Sequence, residues 1–231
     1  MRTARRFYVE STGLINCLPS IISTMSSLPT SASLFDCLLR HAREQPQAIA
    51  CASRFRLASY RKLYSRIERA TARLQGEWDV VAGDVVAYCG DGHPDALVLY
   101  AALARCGAML LPLEHDAARA ALPRLAGDVA LKFALFDDER SPPRIAQPVY
   151  PLSTLIGAPC EHQAKVDRPD PDVTSLLRLA GDGSLARFSL RQLAAGPEST
   201  KRDVHGVLFD AEVFGPVVLP ALCAGDTLHW R

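Results

Sequence analysis

Apolar positions along this chain alternate between helical and strand spacing. Leu34, Leu38 and Ala42 share one face, flanked by Phe35 and Leu39, which predicts a helix over 34–45, capped by Ser33 and ended by Pro46. "AIACA" (48–52) predicts a short buried strand, and "RFRL" after it a turn. Tyr60, Leu63, Tyr64, Ile67, Ala70 and Leu74 recur at three- and four-residue spacing, predicting a second helix opened by Ser59. Arg61, Lys62, Arg66, Arg69 and Arg73 fall mostly off that apolar stripe and are expected to form a solvated face. Next, "VVAYC" (85–89) predicts a strand, Pro94 to Arg105 a helix with proline at its start, and "AMLLPL" (108–113) another strand. Unbroken apolar runs on both strands suit a parallel sheet covered on both faces. A helix near 117–125 and the strand "ALKFALF" (130–136) continue the alternation. The fold class is therefore α/β, a mostly parallel sheet flanked by helices.

The periodicity stops at Ser141. Seven prolines fall between Ser141 and Pro171, which predicts a long connection with a short strand near Val149. Beyond it come a strand over 173–179, a glycine loop, a strand and then a helix over 189–195. A strand over 204–209, a helix over 212–224 and a strand at "DTLHW" follow. The expected organisation is a disordered extension over 1–32, an α/β unit over 33–140, a Pro-rich connection over 141–171 and a second, truncated α/β portion over 172–231. Met25, just ahead of the first strong helix signal, is an alternative start. The last strand lies beside the end at Arg231, where it would lack a neighbour; a protein partner or a second copy covering that edge is expected.

Composition narrows the function. With 48% hydrophobic residues the bulk of the chain is globular, and a net charge of +1 argues against nucleic acid as a partner. The seven cysteines form no CxxC pair, which suits buried, reduced thiols in a cytoplasmic protein. The six histidines show no HxH or HExxH spacing, so no metal site is expected. No run approaches the length of a membrane span.

Candidate chemistry gathers at "LAGDGSLARF" (179–188). Gly181, Gly183 and Ser184 could offer backbone N–H groups and one hydroxyl to a phosphate, though Gly and Asp equally favour a plain tight turn. His205 is either a substrate contact or a buried or edge histidine. Asp210 is either a substrate contact or a helix N-cap ahead of Glu212. "GDGHPD" (90–95) has the composition of a metal loop and equally that of a turn with a cap. A hydrolytic triad of Ser184, His205 and Asp210 lacks the G-x-S-x-G elbow.

Four stretches, taken together and in order, resemble the N-terminal portion of the adenylate-forming (AMP-binding) superfamily of acyl-CoA synthetases and nonribosomal peptide synthetase adenylation domains. They are "SLFDCLLRHAREQPQAIAC", "SYRKLYSRIERATARL", "AGDVVAYCGDGHPDALVLYAALARCGAMLLPLE" and "VLFDAEVFGPVVLPALCAGDTLHW". The resemblance implies carboxylate activation with MgATP, with transfer of the acyl group to a thiol. It puts "LAGDGSLARF" at the place of the family's T-S-G-T-T-G-x-P-K-G phosphate loop, and Asp210 near a position beside the acyl or amino-acid pocket. The departures are large: the threonines and the lysine are missing, the loop is shorter, and Asp182 sets a negative charge where phosphate oxygens would lie. The expectation is a truncated or degenerate ligase homologue without adenylating activity of its own, with no cofactor, and with ATP and Mg entering only if the family activity survives. The alternatives are a non-catalytic interaction module and one part of a split acyl-adenylating enzyme.

Overall fold

A computed structural model describes residues 33–54, 56–157, 161–165, 170–195, 203–204 and 208–230. The expected extension over 1–32, and His205, lie outside the described residues.

The first helix, α1 (Leu34–Glu44), begins where predicted. The Ser33 side chain accepts from the Asp36 N–H, and the Asp36 carboxylate reaches back to the Ser33 N–H, a reciprocal cap. Next come β1 (Ile49–Ala52) and β2 (Leu57–Ser59), which pair antiparallel; Leu57, expected in the "RFRL" turn, is the first residue of β2. α2 (Tyr60–Gly76) follows, with Ser59 as its cap. β3 (Val85–Cys89) and α3 (Pro94–Arg105) match their predicted bounds. β4 (Met109–Leu113), α4 (His115–Asp128) and β5 (Leu131–Phe136) complete the alternation. The Pro-rich connection holds a short strand, β6 (Val149–Pro151), and one helical turn, α5 (Thr154–Gly157). After it come β7 (Thr174–Leu179), β8 (Leu185–Ser189) and α6 (Leu190–Ala194). The chain continues through β9 (Asp203–Val204), a π-helical segment over Phe214–Val218, α7 (Leu219–Ala224) and β10 (Leu228–Trp230).

These strands form two sheets, ordered β6-β5-β3-β4-β7-β8 and β2-β1-β10-β9. In the larger sheet every adjacent pair is parallel except the β7–β8 hairpin. Two hydrophobic cores cover its faces. One joins Val86, Tyr88, Leu110, Phe133 and Leu176 to α1, α2, α3 and α7; the other joins Val85, Ala87, Leu111, Ala134 and Leu177 to α4. Strands from before and after the Pro-rich connection share both sheets: β7 pairs with β4, and β10 with β1.

Four sequence expectations need correction. The strand expected over 204–209 is described only as β9 at Asp203–Val204, with Leu208 and Phe209 in a turn, and the helix expected over 212–224 divides into the π-helical segment and α7. The last strand does not lack neighbours. β10 lies between β1 and β9, parallel to both, with Leu228 fully buried, so chain-terminal position did not dictate edge position. The basic residues of α2 are not one solvated face either. Arg61, Lys62 and Arg69 are exposed, but Arg66 and Arg73 are buried, because α1, α3 and α5 all pack against α2.

Candidate functional site at the carboxyl edge of the larger sheet

Because β3, β4, β5 and β7 run parallel, the loops after Cys89, Leu113, Phe136 and Leu179 emerge on one edge of the sheet. α3 leaves β3 on one face and α4 leaves β4 on the other. The β3/β4 boundary is therefore the switch point at which open α/β sheets take ligands.

The loop after β3 is held by its own polar groups. The Tyr88 hydroxyl donates to Asp137 Oδ1 at 2.7 Å and accepts from the His93 N–H at 3.0 Å. Asp137 Oδ2 accepts the Asp91 N–H at 3.0 Å, and the Asp91 carboxylate pairs with Arg140 at 2.5 Å. Burial first, and then the Asp137 charge, push the Tyr88 phenol up, so it stays protonated and donates. Gly90 is required here, since a Cβ would lie 2.5 Å from the Tyr88 hydroxyl. In "GDGHPD", His93 caps α3 by accepting the Asp95 N–H at 3.1 Å, the turn-and-cap arrangement.

Behind that cap lies an ion cluster. Asp95, 7% exposed, takes two hydrogen bonds from Arg66, at 2.6 and 3.2 Å, and an ion pair from Arg56 at 3.1 Å. Burial pulls Arg66 down, and the Asp95 carboxylate opposes that shift. A small cleft opens beside the cluster, lined by Cys51, Ser53, Arg56, Leu63, Pro94 and Val98 among others. Trp230 Nε1 donates to the Gly92 carbonyl at 3.0 Å and ties β10 to the loop after β3.

The glycine loop is the exposed tip of the β7–β8 hairpin. The Ala180 N–H donates to the Ser184 carbonyl at 2.8 Å, and the Gly183 N–H to the Ala180 carbonyl at 2.9 Å. The Ser184 N–H and hydroxyl both donate to Asp182 Oδ1, at 2.9 and 2.6 Å. These bonds hold the Asp182 carboxyl below its ordinary value. Gly183 has φ of +86°, the left-handed conformation of a tight turn, whereas Gly181 has open space and no such requirement.

Asp210 is exposed, and its carboxylate accepts the Glu212 N–H at 2.8 Å while its carbonyl accepts the Phe214 N–H at 2.9 Å. This is a capping turn ahead of the π-helical segment. Arg178 on β7 joins that turn to the hairpin, donating from Nε to the Phe209 carbonyl at 3.0 Å and from Nη2 to the Asp210 carbonyl at 3.2 Å. Sequence reasoning passed over Arg178, although an arginine inside the apolar run "TSLLRL" is a signal. It also passed over the pairing of Asp95 with Arg66 and of Tyr88 with Asp137. His115, which opens α4 after β4, carries a buried ring nitrogen, Nδ1, with no partner among the described residues. Among the described residues no group of three or more potential metal ligands is gathered, and no helix is long and apolar enough to cross a membrane.

Comparisons with known proteins give a family and a fold. The sequence profile of the family described as AMP-binding enzyme matches residues 38–186. No curated protein matches the chain. Among solved structures, the N-terminal subdomain of Klebsiella oxytoca NpsA in complex with 3-hydroxyanthranilyl-AMSN superimposes with a TM-score of 0.71 at 19% identity, over 87% of this chain and 54% of that one. NpsA-ThdA, an artificially fused adenylation–PCP di-domain from the same organism, gives 0.71 at 18% identity, over 86% of this chain and 38% of that one. The unliganded O-succinylbenzoate coenzyme A synthetase MenE of Bacillus subtilis gives 0.68 at 15% identity, over 84% and 43%. At these identities the likeness is one of fold, and the chain spans about half or less of each structure.

Proposed function

The chain belongs to the AMP-binding enzyme family, and from that premise we propose that it keeps the scaffold of an adenylate-forming N-terminal subdomain without a working phosphate loop, and does not adenylate carboxylates by itself. One observation carries this reading. Where the family resemblance puts the phosphate loop, the chain has a closed hairpin turn whose Gly183 N–H, Ser184 N–H and Ser184 hydroxyl all donate within the turn, two of them to Asp182. A phosphate placed there would have to displace a carboxylate from those donors and then lie beside its charge. The residues at this turn therefore do not fit MgATP. Calorimetry with MgATP, together with a pyrophosphate-release assay over a panel of aryl and aliphatic carboxylates, tests the reading. The expected result is no micromolar binding and no pyrophosphate. Micromolar MgATP binding with formation of an acyl-adenylate overturns it.

A non-catalytic interaction role is the second reading, favoured by Leu57, 62% exposed on the edge strand β2. A monomer whose mass in light scattering does not change with concentration, and which binds no partner, counts against it.

A further inference from the structure

α1 and α7 lie far apart in sequence and pack against each other. Each contributes a cysteine to the contact: Cys37, 2% exposed, lies one helical turn ahead of His41, whose ring meets the Cys223 carbonyl, and Cys223 is half-buried. The backbone around the pair is held from several directions. His41 Nε2 donates to the Cys223 carbonyl at 2.9 Å, and Arg40 Nη2 reaches the same oxygen at 3.4 Å. The Tyr60 hydroxyl donates to the Asp226 carbonyl at 2.8 Å, just past the end of α7. Cys223 therefore has little freedom to move away from Cys37.

We propose that Cys37 and Cys223 are a reversible redox pair, a dithiol that a small peroxide converts to a disulfide linking α1 to α7. The surroundings decide which sulfur reacts first. The interaction with the Cys223 side chain pulls the Cys37 thiol below its ordinary value; burial opposes this and the Arg40 charge adds to it. The same interaction, with burial, pushes Cys223 up. Three other cysteines differ: burial pushes Cys51, Cys89 and Cys106 each up to about 12, which keeps them as inert thiols. The Cys37 thiolate attacks one peroxide oxygen and the O–O bond breaks. The departing hydroxide takes up the proton the thiol lost, leaving water and a Cys37 sulfenic acid. The Cys223 sulfur then attacks the sulfenic sulfur, the S–O bond breaks, and the hydroxyl leaves with the Cys223 proton as a second water. Two thiols are oxidised by two electrons and one peroxide is reduced to two waters. Cys223 is not fully buried, which gives a molecule as small as hydrogen peroxide a route to the pair. The pair lies on elements that take no part in the hairpin turn at 180–184, so its chemistry stands or falls apart from nucleotide binding.

The test uses the full chain, reduced and then treated with stoichiometric hydrogen peroxide. Remaining thiols are alkylated and the protein is digested without reductant for mass spectrometry. The expected product is one cross-linked peptide pair containing Cys37 and Cys223, lighter by about 2 Da than the two reduced peptides and released by dithiothreitol. C37S and C223S lose it; C51S keeps it. The wild-type chain is also compared with itself, oxidised and reduced, so no variant has to fold for the result to count. Closing so long a loop raises the melting midpoint of the oxidised form by several degrees, roughly 5 °C or more. Stable sulfenic or sulfonic acid at Cys37 without the cross-link, or cross-links distributed over Cys51, Cys89 and Cys106, overturns the proposal.

Discussion

Replacing Asp95 with alanine removes the carboxylate that two arginines face. Asp95 is 7% exposed and Arg66 is 8% exposed, and their bidentate contact is held at 2.6 and 3.2 Å. The pair is thus desolvated on both sides, and losing one partner leaves a buried guanidinium uncompensated. Breaking a buried pair in this way costs about 3–5 kcal/mol. For a chain of this size each kcal/mol moves the melting midpoint by about 2–4 °C, so the expected drop is roughly 6–20 °C. Arg56 gives the internal control. Its side chain is 44% exposed, and water already screens its 3.1 Å contact with Asp95. Arg56→Ala is therefore expected to cost under about 1 kcal/mol. The double variant Arg66→Met/Asp95→Leu replaces the pair with apolar side chains and is expected to recover most of the loss, because the desolvation penalty of both charges disappears together. Urea unfolding followed by circular dichroism at pH 7 measures all three, with the m-value checked for constancy. If Asp95→Ala stays within about 1 kcal/mol of the wild type, the cluster is not the desolvated pair its geometry describes and the reasoning fails.

The hairpin tip gives a paired prediction: Gly183→Ala, at φ of +86°, loses about 1–2 kcal/mol in the same unfolding assay, while Gly181→Ala stays within about 0.5 kcal/mol. At the switch point, Gly90→Ala forces a Cβ against the Tyr88 hydroxyl and should destabilise the protein and release protection of the Asp91 amide, read by hydrogen exchange. The Asp182 carboxyl, held down by its hydrogen bonds from Ser184, should titrate below the ordinary Asp value by carboxyl NMR, and Ser184→Ala should bring it back up. Since the folded value is the lower one, any stabilisation from Asp182 is present above the ordinary Asp value and is lost as the pH falls through the depressed folded value.

What was legible in the sequence was local. The caps at Ser33 and Ser59, the proline opening α3 and the unbroken apolar runs of β3 and β4 are decided by neighbours within a few residues, and they lie where predicted. What was not legible depended on packing between distant elements. Periodicity divides α2 into an apolar and a polar side, but three helices contact it, so Arg66 on the polar side meets Asp95 at the start of α3. β10 pairs with β1 across nearly the whole chain, and nothing in "DTLHW" specifies that partner. The helix expected over 212–224 divides for a covalent reason. Pro216 and Pro220 have no N–H to donate, and the Val217 and Val218 N–H groups both reach the Val213 carbonyl, at 3.0 and 3.1 Å, which widens the turn. At the candidate site, residue types were visible but their bonding was not. Ser184 and Asp182 could have faced a ligand or each other, and the turn geometry makes them face each other.

The carboxyl edge of a parallel sheet attracts ligands because its loops leave backbone donors unpaired. In this chain several polar groups at that edge are already committed to one another. Asp137 takes the Tyr88 hydroxyl and the Asp91 N–H, Arg140 takes the Asp91 carboxylate, Arg178 takes the Phe209 and Asp210 carbonyls, and Asp182 takes both Ser184 donors. A free anion at the hairpin competes with a carboxylate attached two residues away, whose effective concentration at those donors is set by the chain itself. His115 Nδ1 is an exception at this edge, a buried nitrogen with no partner among the described residues, and a single ring nitrogen does not replace a set of donors for phosphate. The residues that hold the scaffold lie elsewhere, in the two cores on the sheet faces, and the exposed hairpin tip contributes to neither. The two cores and the hairpin tip therefore lie in separate parts of the molecule, so the tip can change from one kind of loop to another while the fold shared with adenylate-forming subdomains persists.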